Sequence, residues 1–318
     1  LRLSNLDQAR HSLDQAPVLD RSLEWRLLDA IANPLLRELK GHNDTVSSLL
    51  IDSRDGRLFS AGRDGMVKAW DVGSGRNLFN IQFNTPVQGL KYAPDCQTLL
   101  LVNADQSLVL LNAVTGKVLK TVYSQDGGMS AADFIADGKQ IVYATQNGNL
   151  FIYDLAAGRV VRHFKGHDNV IAAVNAIPGT DRFITAAWDR CLKVWQSGHE
   201  QPLLILNGHR SFVNTVAVAP EQRLIASGGG DNQVCLWRLD TGEKLLALTR
   251  FAAAVDHLAF SPDGRMLLVC SGNSVELVAV DSGKTVKAFD LGAGVNVYCA
   301  LFTSDGNRVI TGDGNNRI

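Results

Sequence analysis

An all-β protein built from tandem repeats is the fold class this sequence predicts, on three observations. Apolar positions recur at a period of 42 residues along most of the chain. One set of four polar and aromatic residues returns three times at fixed spacing. Turn residues punctuate each period in register. Such self-similarity is the signature of stacked supersecondary units.

The four-residue set is His42, Ser60, Asp64 and Trp70, separated by 18, 4 and 6 residues. His167, Thr185, Asp189 and Trp195 keep those spacings, and so do His209, Ser227, Asp231 and Trp237. An apolar slot four residues after each His runs through Val46, Val87, Met129, Ile171, Val213, Val255 and Val297, with one step of 41 and the rest 42. Turns of the type "RDG", "PDC", "ADG", "PDG" and "SDG" fall early in the units, and "GSG", "VTG", "AAG", "DTG" and "DSG" late. Gly and Asp supply the backbone conformations that tight turns need. Between the turns lie short β-branched runs such as "TVAVA", "QIVYAT" and "VCLW", which read as strands. Each unit is therefore four short antiparallel strands.

Composition bounds the function. The chain has 318 residues, 46% hydrophobic and 20% charged, long for a single compact core but not for a repeat array. A net charge of −1 offers nothing to attract nucleic acid or an anionic membrane. The five cysteines, Cys96, Cys191, Cys235, Cys270 and Cys299, are scattered and include no CxxC pair. Their spacing argues against a disulfide framework or a zinc motif and for reduced thiols in a cytoplasmic setting. No apolar run approaches the roughly 18 residues of a membrane span, and "LRLSNLDQAR" is unlike a signal peptide. The sequence starts without Met, and Ile318 occupies the slot that Val234 holds in the fifth unit, so the natural chain is expected to continue.

The Gly-His pairs Gly41-His42, Gly166-His167 and Gly208-His209, with Trp70-Asp71, resemble WD40 repeats over residues 34–318. The resemblance implies a seven-bladed β-propeller, its last blade incomplete in this sequence, with each blade a four-stranded sheet. It also implies that the three His, Ser/Thr, Asp, Trp sets are structural hydrogen-bonded tetrads. A hydrolase triad is excluded on the same ground, because an enzyme needs one such site and not three. Four units depart from the pattern. Their His slots hold Phe83, Gln125, Phe251 and Ala293, and their Asp slots hold Asp105, Asn147, Gly272 and Asn315, so these blades are expected to rely more on apolar packing.

Residues 1–33 are expected to form a short helical lead-in. Leu6, Ala9 and Leu13 share a helical face, as do Leu23, Leu27 and Ile31, and Pro17 and Pro34 bracket the second segment. "LLREL", residues 35–39, is the candidate strand for closing the ring. The lead-in also resembles the connector before WD40 arrays in large bacterial multidomain proteins, some linked to kinases or other effectors.

No GxxxxGK[ST], HExxH or GxSxG motif is present, so no catalytic residue, cofactor or metal is assigned. In WD40 propellers the residue before the structural Asp, and those flanking the apolar slot, stand on the top face at the channel mouth. Carried over position by position, this puts Trp188, Phe212 and Val170 side by side on neighbouring blades, with Asn214, Asp256, Tyr298 and Arg63 completing the candidate partner surface. An exposed aromatic pair marks a binding site. The alternative is that Trp188 packs over Ile171 and Phe212 and merely caps the channel. Arg63 is the one cation among these positions, which argues for a protein or peptide partner and against nucleic acid. The expected function is a non-catalytic sensor or docking module of a larger, bacterial-type protein. The alternative is an architectural or autoinhibitory module that packs on its own effector domain or a sister protomer. The oligomeric state is not legible.

Overall fold

A computed structural model describes residues 37–318 except 53, 125, 220 and 293. The helical lead-in, Leu35 and Leu36 of the candidate closing strand, and the His-slot residues Gln125 and Ala293 lie outside the described residues.

The described residues are all β, in sheets that follow chain order. Blade 1 is a plain meander of Val46–Ile51, Arg57–Gly62, Met66–Asp71 and Asn77–Gln82. Its second strand is buried almost throughout, while its fourth alternates between half-buried and exposed, as an outer strand with one wet face should. Five further four-stranded sheets repeat this order. The seventh is a hairpin of Val297–Phe302 with Val309–Asp313. Among the described residues there are thus six complete blades, not seven, and a two-stranded seventh sheet. A bridge from Lys40 to Arg317 extends that sheet, and Leu39 N–H donates to the Ile318 carbonyl at 2.8 Å. The first strand of each sheet packs on the first strand of the next, and that of the hairpin packs on Val46–Ile51, so the sheets form a closed ring.

Burial is divided in the same way. Seven hydrophobic clusters fill the seven gaps between neighbouring sheets. The gap between blades 3 and 4, for example, holds Ile135, Val142, Leu150, Ile152, Ile171, Val174, Phe183 and Trp195. The seam between the hairpin and blade 1 has Val46, Leu58, Trp70, Cys299 and Ile318 at its centre. A chain of this length folds around many small cores because each sheet needs only its two neighbours.

Two local devices shape the face that carries the candidate site. The first is a β-bulge in every inner strand, directly after the apolar slot. The extra residues are Ser47, Gln88, Ser130, Ala172, Asn214, Asp256 and Tyr298, one per sheet. A bulge leaves its extra residue outside the ladder and re-aims its side chain; Ser47 and Asn214 here reach the neighbouring inner strand, at the Val87 carbonyl and the Asp256 carboxylate. The second is a left-handed residue in the hairpin between the second and third strands. Gly65 (φ 73°) and Gly148 (φ 77°) adopt it without strain, and Arg190 (φ 76°) and Asn232 (φ 60°) occupy the same place in blades 4 and 5. At Gly148 a Cβ would also stand 2.3 Å from the His167 carbonyl oxygen. Gly148→Ala is therefore expected to lower stability by more than about 1 kcal/mol, read as a reduced urea midpoint with an unchanged m-value.

Candidate functional site

Beneath the top face lie three hydrogen-bonded chains. In blade 4, Trp195 Nε1–H donates to Thr185 Oγ1 at 2.9 Å, Thr185 Oγ1 lies 2.7 Å from His167 Nε2, and His167 Nδ1 lies 2.8 Å from Asp189 Oδ2. Blade 1 repeats the chain through Trp70, Ser60, His42 and Asp64 at 2.9, 2.8 and 3.0 Å. Blade 5 does so through Trp237, Ser227, His209 and Asp231 at 2.8, 2.8 and 3.0 Å. An indole can only donate and a carboxylate only accept, so the simplest proton order runs from Trp to hydroxyl, hydroxyl to imidazole, and imidazole to Asp. The carboxylates also hold the hairpins: Asp64 accepts from Asn43 N–H at 2.8 Å and from Met66 N–H at 3.0 Å.

This arrangement has no catalytic character. Ser60, Thr185 and Ser227 are fully buried, so no hydroxyl can meet a substrate. Burial holds His42 and His167 below the ordinary imidazole value, against the pull of their aspartates. Burial and the Asp189 carboxylate push the Cys191 thiol up to about 12, which leaves it a poor nucleophile. Asp189 itself, despite burial that acts the other way, is held well below the carboxylate range by His167 and Cys191.

Blades 2 and 6 carry buried apolar residues in the Ser and Trp slots, Leu101 with Leu111 and Val269 with Val278, and blade 3 carries Tyr143 and Tyr153 there. The sheets without a tetrad also have polar ties that spacing did not reveal. In blade 3, Asp126 accepts from Thr145 Oγ1 at 3.1 Å and from Asn149 Nδ2 at 2.7 Å. In blade 6, Ser271 Oγ donates to the Ala253 carbonyl at 2.8 Å. In the seventh sheet, Asp313 takes the Arg317 guanidinium at 2.8 Å.

On the top face, Trp188 and Phe212 meet with ring centroids 5.8 Å apart and planes tilted by 46°. Trp188 is 47% exposed and Phe212 40%, against 1% for Trp195. Trp188 N–H donates to the Val170 carbonyl at 2.8 Å, and the Val170 side chain is half-buried. Phe212 lies across its own hairpin: a Cβ at Gly230 would stand 2.2 Å from the ring. Glycine there is what lets the aromatic lie down. Further round the mouth, Asn214 Nδ2 donates to Asp256 Oδ1 at 3.2 Å. Burial raises the Asp256 pKa, with Asn214 opposing. Across the seam the Arg63 guanidinium sits 5.7 Å from the centre of the Tyr298 ring. The seven top-face residues thus fall into three neighbouring groups: Val170, Trp188 and Phe212; Asn214 and Asp256; Tyr298 and Arg63. Deeper in the channel, Lys91 faces Asp133 at 3.5 Å and also donates to Asn175. Three inner strands bring these together, and no sequence motif announces them.

Ring, bulged inner strands and repeated tetrads together define the class: a β-propeller whose blades are WD40 repeats. Comparison with known proteins agrees. The family model for the WD domain, G-beta repeat, matches residues 200–238 and 243–277. A second family model, for the outer membrane protein assembly factor BamB, matches residues 21–178. Among curated relatives, the U3 small nucleolar RNA-associated protein 21 of Saccharomyces cerevisiae is 26% identical over 36% of this chain and 12% of its own length. The WD repeat-containing protein AAC3 of Dictyostelium discoideum is 27% identical over 36% of this chain and 24% of its own. The eukaryotic translation initiation factor 3 subunit I of Mycosarcoma maydis is 34% identical over 20% of this chain and 18% of its own. The matched segments thus cover less than a quarter of each relative. The chain thus carries WD40 repeats within a propeller that has, among the described residues, six four-stranded blades. Among the described residues no helix is long and apolar enough to cross a membrane.

Proposed function

We propose that this chain is the non-catalytic docking module of a larger protein and that it binds a protein or peptide on the top face of the propeller. One observation carries the reading: Trp188 and Phe212 lie against each other and yet keep about half of Trp188 in water. Paired aromatics on a rigid backbone are the residue type and setting of binding hot spots, and a preformed face spares the partner the cost of ordering it. Asp256 and Asn214 beside the patch, and Arg63 over Tyr298, supply a polar rim.

RNA figures in the names of three relatives, but Arg63 is the single cation among the top-face positions, and a phosphate backbone needs several. The setting we favour is cytoplasmic and bacterial, with any catalysis in another domain of the parent chain. The lead-in sequence is the motive for this, together with reduced, largely buried thiols at Cys191, Cys235, Cys270 and Cys299. The architectural alternative, in which the patch is covered by an effector domain or a sister protomer, uses the same residues.

The test is affinity capture from the native host, followed by binding of the recovered partner to purified wild-type protein and to Trp188→Ala/Phe212→Ala. The expected result is at least a ten-fold loss of affinity with an unchanged thermal melt. Equal affinity for both proteins would place the site elsewhere. A collapsed melt would make the pair a cap on the channel.

A further inference from the structure

At the top of blade 4, three side chains of metal-ligand type converge. His167 Nδ1 lies 2.8 Å from Asp189 Oδ2. Cys191 Sγ lies 3.2 Å from Asp189 Oδ1 and 3.7 Å from His167 Nδ1. One donor atom from each falls within 4.8 Å of the other two. We propose that His167, Asp189 and Cys191 form a three-ligand site for a borderline-soft divalent cation of the zinc class, open to the top face beside Trp188.

The donor set selects the ion. A thiolate, an imidazole and a carboxylate suit zinc, whereas calcium and magnesium take oxygen. The separations fit as well. Tetrahedral zinc with bonds of about 2.0–2.3 Å holds its ligands about 3.3–3.6 Å apart. The Nδ1–Oδ2 and Sγ–Nδ1 distances of 2.8 and 3.7 Å bracket that range, and Sγ lies 3.2 Å from the other carboxylate oxygen, Oδ1. Small side-chain rotations reach it without moving the backbone.

The site belongs to blade 4 alone among the three tetrads. Met66 and Gln233 stand where blade 4 has Cys191. The same scaffold therefore occurs twice more without the thiol.

Thr185 supplies the outer support. Its hydroxyl accepts from Trp195 Nε1–H at 2.9 Å and lies 3.4 Å from the Lys193 carbonyl. With the hydroxyl proton directed to that carbonyl, Thr185 can accept from His167 Nε2–H at 2.7 Å. In this tautomer, the reverse of the one in which His167 donates to Asp189, Nδ1 is unprotonated and its lone pair is free for the cation. Orientation of a ligating imidazole through its far nitrogen is the usual role of such a partner. Binding displaces one proton, from the thiol, to solvent; the imidazole stays neutral and the carboxylate ionised. The fourth position goes to water, because the Asp189 side chain keeps 12% of its surface exposed. Residue spacings of 22 and 2 match no metal motif, so the sequence reading assigned no metal here.

The test uses the whole 318-residue chain, reduced with a non-thiol reagent and titrated with Co²⁺ as a spectroscopic probe. The expected result is a thiolate-to-cobalt charge-transfer band with four-coordinate d–d bands, saturating at one equivalent and erased by Zn²⁺. Cys191→Ser keeps a donor to Asp189, so its thermal melt should hold while the band disappears and cobalt affinity falls at least ten-fold. Cys191→Thr replaces it if the serine protein does not fold. Cys96→Ser, at a more exposed thiol, should keep the band. Absence of a charge-transfer band in the wild type overturns the proposal, and so does a band that survives removal of Cys191.

Discussion

Trp195→Ala is expected to lower the unfolding free energy by about 3–5 kcal/mol, and Trp188→Ala by less than about 1 kcal/mol. The two tryptophans sit seven residues apart in "WDRCLKVW", so the contrast isolates what position does to one side chain. Trp195 is 1% exposed, stacks on Phe183 at 6.2 Å, meets Phe164 at 5.4 Å and donates to Thr185. Its removal opens a cavity between blades 3 and 4 and leaves the buried Thr185 hydroxyl short of a donor, two losses that add. Trp188 contributes one tilted aromatic contact at a wet surface. Urea unfolding of both variants, followed by far-UV circular dichroism, checks the pair of values. A loss above about 2 kcal/mol for Trp188→Ala would make it a structural cap and would remove the basis of the docking site.

Acidification supplies the second large effect. His257, in the bulged inner strand of blade 6, lies 3.0 Å from the Ala300 carbonyl, which its Nε2–H reaches. Burial depresses its pKa to about 4; the Ala300 carbonyl opposes this and the Lys91 charge assists it. In the unfolded chain the ordinary value is about 6.5. Below that pH the unfolded state takes up a proton that the folded state refuses, so the stabilisation is complete above pH about 6.5 and is lost as the pH falls towards 4. The full effect is at most about 3 kcal/mol, of which about 2 kcal/mol is gone by pH 5. These are upper figures because the ring is only half-buried by its accessible surface. His42 and His167, also depressed, add to the slope in the same direction. His257→Gln keeps a donor for the carbonyl and should flatten the loss between pH 7 and pH 5. An equal loss in the variant would assign the acid sensitivity to the other groups.

Much of the architecture was legible in the sequence because each repeat writes its own fold. The apolar slot, the turn triplets and the three tetrads are local patterns whose spacing follows strand length and hairpin geometry. Trp195 could therefore be assigned to the scaffold and Trp188 to the surface before any coordinates. The blade count was less legible. Residues 297–313 have the pattern of a blade's inner hairpin, but whether further strands join it is a pairing question, and pairing is made by distant chain. The bridge from Lys40 to Arg317 shows this, since it joins residues 277 positions apart.

The sequence by itself determined the class of fold, the hydrogen-bonded tetrads and the exposure of Trp188 against the burial of Trp195. The pattern behind them repeats every 42 residues, and repetition turns a weak local signal into a strong one. Only the tertiary structure decided which side chains from different strands share a space. A bulge after every apolar slot aims Asn214 at Asp256 and Tyr298 at Arg63. The hairpin of blade 4 swings Cys191 back onto His167 and Asp189. Bulges and left-handed turns depend on backbone angles at single residues, which composition and period do not encode, so convergence at a site appears only once the strands are paired.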